Sequence, residues 1–343
     1  MPFPESIIIS RTDSIGDIVL AMPVAGVLKK NFPGIKIALL GSIYTRDIAN
    51  SCAHFDEFIT LEDFYSKDVF ICNKKPAAII HLTTNAQVAK RALELKIPRR
   101  IGTSSRLYHW WTCNQLVHLS RKNSGLHEAQ LNLKLLKPLG IKQNFSLEEI
   151  PELYGLTRIE KLSTQYDYLL KKDKFNIIIH PKSQGNAREW PIKHFIQLIN
   201  MLDQQDYNIL LSGVEKERIF INEIVEKLNK RVTVIAGVLS LGQFISLINQ
   251  SDALLANSTG PLHIAAALGK NAIGLYPPLK PKDPERWGPV GEKSEVFVLK
   301  KNCNDCRNTV DACACMDAIE PLSLKITIDK LLVEKSNCNK AII

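Results

Sequence analysis

No apolar stretch of the chain approaches the ~20 residues that a bilayer-spanning helix needs. The first residues, Met1-Pro-Phe-Pro-Glu-Ser6, lack a basic n-region and a long apolar run. No signal peptide is therefore expected, and the protein is expected to be cytoplasmic. No Gly-x-Gly-x-x-Gly follows the strand runs that open the two halves, which argues against a dehydrogenase-type dinucleotide site. No Gly-x-x-x-x-Gly-Lys-Ser/Thr occurs either, which argues against a P-loop nucleotidase. The net charge of +9 calls for a polyanionic partner: nucleic acid, a membrane surface or a phosphorylated glycan. RRM, KH and zinc-finger signatures are missing, so no nucleic-acid partner is expected. Eight cysteines in 343 residues do not make a disulfide scaffold, and that length suggests two domains, each able to bury its own core.

What is present is an alternation of strand and helix patterns. Ser6-Ile-Ile-Ile-Ser10 reads as a buried strand, Arg11-Thr-Asp-Ser-Ile-Gly-Asp17 as a turn, and Ile18 to Lys30 as a helix with Pro23 near its start. Further strands are expected at Ile35 to Leu40, Phe58 to Thr60 and Ala77 to His81, with a helix over Ala86 to Leu95. Such alternation predicts a doubly wound parallel sheet, whose ligands bind beyond the carboxyl ends of the strands. The turn with Asp13, Gly16 and Asp17 falls there, which makes both carboxylates candidate catalytic groups. Equally, either aspartate can simply favour the positive end of the next helix.

From Val88 to Lys122 the charges are Lys90, Arg91, Lys96, Arg99, Arg100, Arg106, Arg121 and Lys122 against Glu94 alone, interrupted by His109, Trp110 and Trp111. A solvated basic face has this composition. So does a docking surface for an anionic acceptor, with Arg99, Arg100 and Arg106 as its contacts and the indoles against sugar or lipid. His127 to Leu139 reads as a helix ended by Gly140, and the charged stretch Glu148 to Lys174 as a linker.

The opening pattern then returns. Asn176-Ile-Ile-Ile-His180 matches Ser6 to Ser10, and Asn208-Ile-Leu-Leu-Ser-Gly213 echoes Ile37-Ala-Leu-Leu-Gly-Ser42, with a helix over Lys193 to Leu202 between them. Two similar α/β domains facing each other across a cleft are expected. The turn Pro181 to Pro191 offers Lys182, Ser183, Gln184 and Arg188 to a donor phosphate, while Trp190-Pro191 reads as packing for the next helix. Glu217 stands where a carboxylate can accept ribose hydroxyls, or is an ordinary first-turn acid. Asp252 to Ala256 is a short buried strand, followed by Asn257-Ser-Thr-Gly-Pro-Leu-His-Ile-Ala-Ala-Ala-Leu-Gly269. Ser258 or Thr259 can cap this helix, Pro261 fits its first turn and Gly269 its left-handed end. A helix start rich in bare N–H groups, with Gly260 and His263 beside it, suits a diphosphate. Cys303, Cys306, Cys313 and Cys315 have a spacing that can hold one structural zinc or iron ion through thiolates; a reduced loop explains them as well.

Taken together, Arg11 to Asp17, Arg188-Glu-Trp-Pro191, Gly213 with Glu217, and Asn257 to Gly269 resemble the heptosyltransferase family of bacterial glycosyltransferases. The resemblance implies a GT-B fold: a Rossmann-like acceptor domain at 1–155 and a nucleotide-sugar domain at 156–343, with a C-terminal helix, Ser323 to Val333, crossing back onto the first. It implies inverting transfer of heptose from ADP-heptose to a lipopolysaccharide inner-core acceptor, with no catalytic cofactor or metal. The partners it implies are an anionic glycolipid and peripheral contact with the inner face of the inner membrane. Asp17 matches the family's base, Arg188 its donor-phosphate cation (usually Lys), Glu217 its ribose acid, and Thr259, Gly260 and His263 its diphosphate turn. Ser258 departs from members with an acid there, which leaves the donor sugar open. Relatives that glycosylate proteins carry an iron-holding cysteine finger, which keeps the four cysteines of interest. Another nucleotide sugar, a protein acceptor or a non-catalytic nucleotide-binding protein are the competing readings.

Overall fold

A computed structural model describes residues 3–121, 124–141, 144–183, 185, 187–299 and 313–341. The chain divides into two compact units, Met1–Glu160 and Lys161–Ile343. The first holds a parallel sheet of β1 (Ser6–Ser10), β2 (Lys36–Gly41), β3 (Glu57–Thr60), β4 (Ala78–His81), β5 (Arg99–Thr103) and β6 (Gln115–Val117), in the order β3-β2-β1-β4-β5-β6. Its central strand is β-branched and apolar, with Ile7, Ile8 and Ile9 fully buried, as a strand covered on both faces must be.

The second unit repeats this plan with β7 (Phe175–His180), β8 (Tyr207–Leu211), β9 (Thr233–Val234), β10 (Ala253–Asn257), β11 (Asn271–Tyr276) and β12 (Ser294–Val298). Its order is β12-β11-β10-β7-β8-β9. Substituting β7 for β1 and continuing in sequence gives the same arrangement as in the first sheet. The repeat heard in the two isoleucine runs is thus a repeat of topology. Each sheet reverses its winding between its first and fourth strands, at β1/β4 and at β7/β10, and crevices at such switch points are where ligands bind.

Several boundaries differ from the sequence expectation. The helix foreseen over Ile18 to Lys30 is two helices, Ile15–Val19 and Met22–Asn31, because Pro23 lacks an amide hydrogen and begins a new first turn instead of continuing the old one. The domain boundary falls after Glu160, not at 155/156. Leu156 bridges to Cys52, and Arg158 donates to the carbonyls of Phe55 and Ala53 at 2.9 and 3.0 Å, which ties these residues to the first unit. Gly26 helps: a Cβ there would collide with the carbonyl of Leu153, so only glycine lets the preceding turn seat on this helix. The C-terminal helix runs Pro321–Ala341. It packs on the helix Ile192–Met201, with Tyr207 donating to Asp329 at 2.8 Å and Lys335 pairing with Asp252 at 2.7 Å. These described partners all belong to the second unit. No helix among the described residues is long and apolar enough to cross a membrane.

Candidate active site

β1 ends at Ser10 and delivers Arg11 into the switch point of the first unit. Arg11 is 4% exposed and its guanidinium meets three carboxylates: Asp17, Glu128 at 3.1 Å and Asp13 at 3.2 Å. Burial alone would push its pKa down; the three negative charges outweigh that and raise it. Arg121 joins the cluster, donating to Glu128 at 3.2 Å and to Asn132 at 3.0 Å, and Asn132 in turn donates to the carbonyl of Leu20 at 3.1 Å. A buried carboxylate such as Glu128, 1% exposed, is tolerable only with partners of this kind.

The two predicted aspartates occupy different environments. Asp17 lies in the first turn of the helix Ile15–Val19, where its Oδ2 accepts from the Ser14 amide at 3.2 Å and the Ser14 hydroxyl at 2.6 Å. Burial pushes its carboxyl up, but Arg11 and the Ser14 hydrogen bonds prevail and hold it below the usual range. Asp13 is more open, its side chain 41% exposed, and accepts from Thr83 at 2.9 Å across the switch point. Burial pushes the Asp13 carboxyl up, Arg11 offsets this only in part, and Asp17 adds to the rise. The turn therefore holds one carboxyl shifted down beside a second shifted up.

The expected acceptor contacts separate. Arg99 and Arg100 open β5, so in a parallel sheet they lie at the edge opposite the Asp13–Asp17 turn. Arg99 donates to the Pro138 carbonyl at 3.0 Å and Arg100 to the Thr112 carbonyl at 2.7 Å. Both guanidiniums are thus engaged with backbone carbonyls of their own unit. Arg106 follows β5 and is exposed.

In the second unit the equivalent turn follows β7. Asn257, fully buried at the end of β10, accepts from the Trp190 amide at 2.9 Å and donates to the Pro181 carbonyl at 2.7 Å. One amide thus clamps both ends of the loop to the turn that carries Ser258, Thr259 and Gly260. Trp190 is 1% exposed and donates its indole N–H to the Ile319 carbonyl at 2.9 Å, the packing role expected of it. The helix Gly260–Ala267 starts with Pro261 in its first turn, and Gly269 beyond it has φ +69°, both as anticipated. The hydroxyl cap is not as anticipated. Thr259 is the N-cap, in extended conformation, but its side chain makes no cap bond. Its Oγ1 is buried with no hydrogen-bond partner among the described residues. Ser258 instead bonds the phenol of Tyr276. The helix start is left without a side-chain cap of its own.

Glu217 sits beyond β8 and is 4% exposed. Its Oε2 accepts from the Val214 amide at 2.9 Å, while Oε1 is buried without a partner among the described residues. An acceptor left bare in this way costs stability unless a ligand or water supplies a donor. Arg188 is 8% and His263 4% exposed. Lys182 and Ser183 are otherwise engaged. Lys182 pairs with Glu189 and lies 4.4 Å from the Phe220 ring centroid, and Ser183 donates to Glu189 through N and Oγ at 2.8 and 2.9 Å. Ser183 shapes the loop, and an anion reaching Lys182 must compete with Glu189. His180, missed in the sequence, ends β7 3.0 Å from the Ser212 hydroxyl; burial pushes it down to about 4, so it is neutral at neutral pH.

Gln184, Cys303 and Cys306 lie outside the described residues. Cys313 and Cys315 are buried in the second unit's core. The described residues thus contain only half of the expected thiolate set.

The sequence profile of glycosyltransferase family 9 (heptosyltransferase) matches residues 71–316. The chain is 24% identical over 285 residues to the lipopolysaccharide core heptosyltransferase OpsX of Haemophilus influenzae, covering 80% of this chain and 79% of that protein. It is 30% identical over 145 residues to lipopolysaccharide heptosyltransferase 2 of Escherichia coli, 41% of each chain. The solved structure of the E. coli ADP-heptose lipopolysaccharide heptosyltransferase II is similar with a TM-score of 0.77, at 20% identity, over 96% of this chain and 99% of that one. That likeness extends the GT-B architecture to both units.

Proposed function

The protein belongs to glycosyltransferase family 9, the heptosyltransferases, and from that premise we propose that it moves a heptose from ADP-heptose to an anionic lipopolysaccharide inner-core acceptor, inverting the anomeric centre without a metal ion. The observation that carries this reading is the set of groups gathered at the second switch point. There a helix start without a side-chain cap, Arg188, and the bare Oε1 of Glu217 match a diphosphate joined to a ribose.

The reaction is a single displacement. The acceptor hydroxyl oxygen attacks the anomeric carbon, its proton passes to Asp17, and the bond from that carbon to the diphosphate oxygen breaks, releasing ADP. Asp17 is ionised at neutral pH because Arg11 and Ser14 hold it so. A carboxylate offers about four lone-pair sites. The Arg11 and Ser14 donors occupy three, which leaves one for the acceptor hydroxyl. A low-pKa carboxylate is a weak base, so proton transfer completes late, as the attacking oxygen acidifies. Arg188 and the amides after Thr259 take up the charge that develops on the departing diphosphate. Preorganised groups of this kind contribute a few kcal/mol each, about a hundredfold or more in rate.

The low identity to named relatives leaves a different nucleotide sugar or a protein acceptor as competitors, and Ser258 beside the donor turn is the residue that favours testing them. The decisive experiment is mass spectrometry of lipopolysaccharide from cells lacking this protein. Loss of one heptose and of everything attached beyond it is expected; an unaltered core refutes the proposed acceptor.

A further inference from the structure

The Arg11–Asp17 turn is framed on both flanks by residues that follow the neighbouring strands. On the β4 side, Thr83 accepts from the Thr12 amide at 3.3 Å and donates to Asp13 at 2.9 Å. On the β2 side, the Ser42 hydroxyl donates to the Thr12 carbonyl at 3.0 Å and the Tyr44 hydroxyl to the Asp13 carbonyl at 2.7 Å. Ser42 and Tyr44 reach the turn because β2 runs parallel to β1, with Ser10 opposite Leu40, so both strands end at one edge of the sheet. A 3-10 turn, Ile43–Thr45, follows at once and is closed by the Thr45 hydroxyl donating to the Ser42 carbonyl at 2.7 Å.

Anchoring a backbone carbonyl takes only a hydroxyl, as Ser42 shows. Tyr44 does the same with a phenol and stays 54% exposed. With the hydroxyl engaged, the surface left to a ligand is ring. Asp17 and Asp13 stand close by: partial burial pushes the phenol pKa up, and the two carboxylates push it further. The ring therefore borders the carboxylate that takes the acceptor's proton. A ring tethered at its far end loses little freedom when a ligand covers it. Its face carries partial negative charge and favours C–H groups over anions. A pyranose offers C–H groups on its ring face and hydroxyls on its rim. A phosphate or carboxylate substituent placed here would instead meet two acids.

We propose that Tyr44 is the platform for the acceptor's reacting sugar, whose C–H face stacks on the phenol ring while its attacking hydroxyl reaches Asp17. The assignment rests on the reading of Asp17 as the base of a glycosyl transfer. It adds what that reading leaves open: the sugar that receives the new bond presents a neutral ring face, and the acceptor's anionic groups lie elsewhere.

The test is an NMR titration of the full chain, in the presence of ADP, with an acyl-free inner-core oligosaccharide. Tyr44→Phe loses only the bond to the Asp13 carbonyl and should bind within about threefold of wild type. Tyr44→Leu loses the ring and should bind about tenfold more weakly or worse. Sugar C–H resonances should move upfield, through the ring current, with wild type and Tyr44→Phe but not with Tyr44→Leu. Under turnover the acceptor KM should show the same split, with kcat and the donor KM of Tyr44→Leu within about threefold of wild type. A tether alone would make both variants equally defective and would lower kcat. Equal weakening in the two variants, Tyr44→Leu binding as wild type does, or no oligosaccharide binding by wild type overturns the proposal. ADP release from ADP-heptose judges the donor separately: transfer without the upfield shift refutes the platform alone, and the shift without transfer refutes the heptose donor alone.

Discussion

Replacing Asp17 with Asn removes one negative charge from the Arg11 cluster and leaves the side chain's size unchanged. Arg11 keeps Glu128 at 3.1 Å and Asp13 at 3.2 Å, so the guanidinium stays compensated and the sheet edge stays folded. The cost in stability at neutral pH should be about 1–3 kcal/mol, the net worth of hydrogen bonds to a charged group. The effect on turnover should be larger, about 10²- to 10⁴-fold, the usual contribution of a positioned base. ADP affinity should not change, because the groups proposed to hold the nucleotide are in the other unit. A coupled assay for ADP release, with calorimetry for ADP binding and a thermal melt, separates the three effects. The sign of the pH dependence is a further check. Asp17 has a depressed folded-state pKa, so its stabilisation is present above the unfolded value near 3.9 and is lost as pH falls through the folded one. Asp17→Asn should therefore flatten acid destabilisation below about pH 4. Asp13 has a raised pKa, and Asp13→Asn should leave stability at neutral pH unchanged or slightly higher. If Asp17→Asn turns over within about threefold of wild type while Asp13→Asn does not, the proton acceptor is Asp13 and the reasoning from Arg11 is wrong.

Other consequences follow from single residues. Glu217→Gln keeps the bond to the Val214 amide but loses the charge offered by Oε1, so ADP should bind about 10- to 100-fold more weakly by calorimetry. Asn257→Ala strips two buried hydrogen bonds from the Pro181–Trp190 loop and should cost about 2–4 kcal/mol, read from urea unfolding, together with a loss of ADP affinity. Burial pushes His81 down to about 3, below its unfolded value, so its contribution is complete above about pH 6.5 and is lost as pH falls. His81→Leu should accordingly reduce the stability lost between about pH 6 and pH 4, measured by melting temperature.

The parts of the fold that the sequence announced were those with local signatures. Ile7–Ile9 and Ile177–Ile179 read as central strands because both faces of each are covered. Pro261 and Gly269 marked a helix because each suits only one end of it. β5 was hidden because its run, Arg-Arg-Ile-Gly-Thr, begins with two charged residues that read as a basic surface; their forks bond backbone carbonyls of the neighbouring connections. The Arg11–Glu128–Arg121 cluster was hidden for a different reason. Arg11 and Glu128 lie 117 positions apart, and only the doubly wound topology brings them together. Asn257 was legible as the start of a motif but not as a clamp, since its partners come from the β7 loop.

The most direct test of the central claim is a donor competition with purified protein. ADP-heptose, UDP-sugars and GDP-sugars are each incubated with a heptose-deficient inner-core acceptor in EDTA, and the released nucleotide and the anomeric configuration of the product are measured. The account predicts ADP release and an inverted linkage, dependent on acceptor and unaffected by the chelator. Transfer from a different nucleotide sugar, retention of configuration, or a strict requirement for a divalent cation would contradict it.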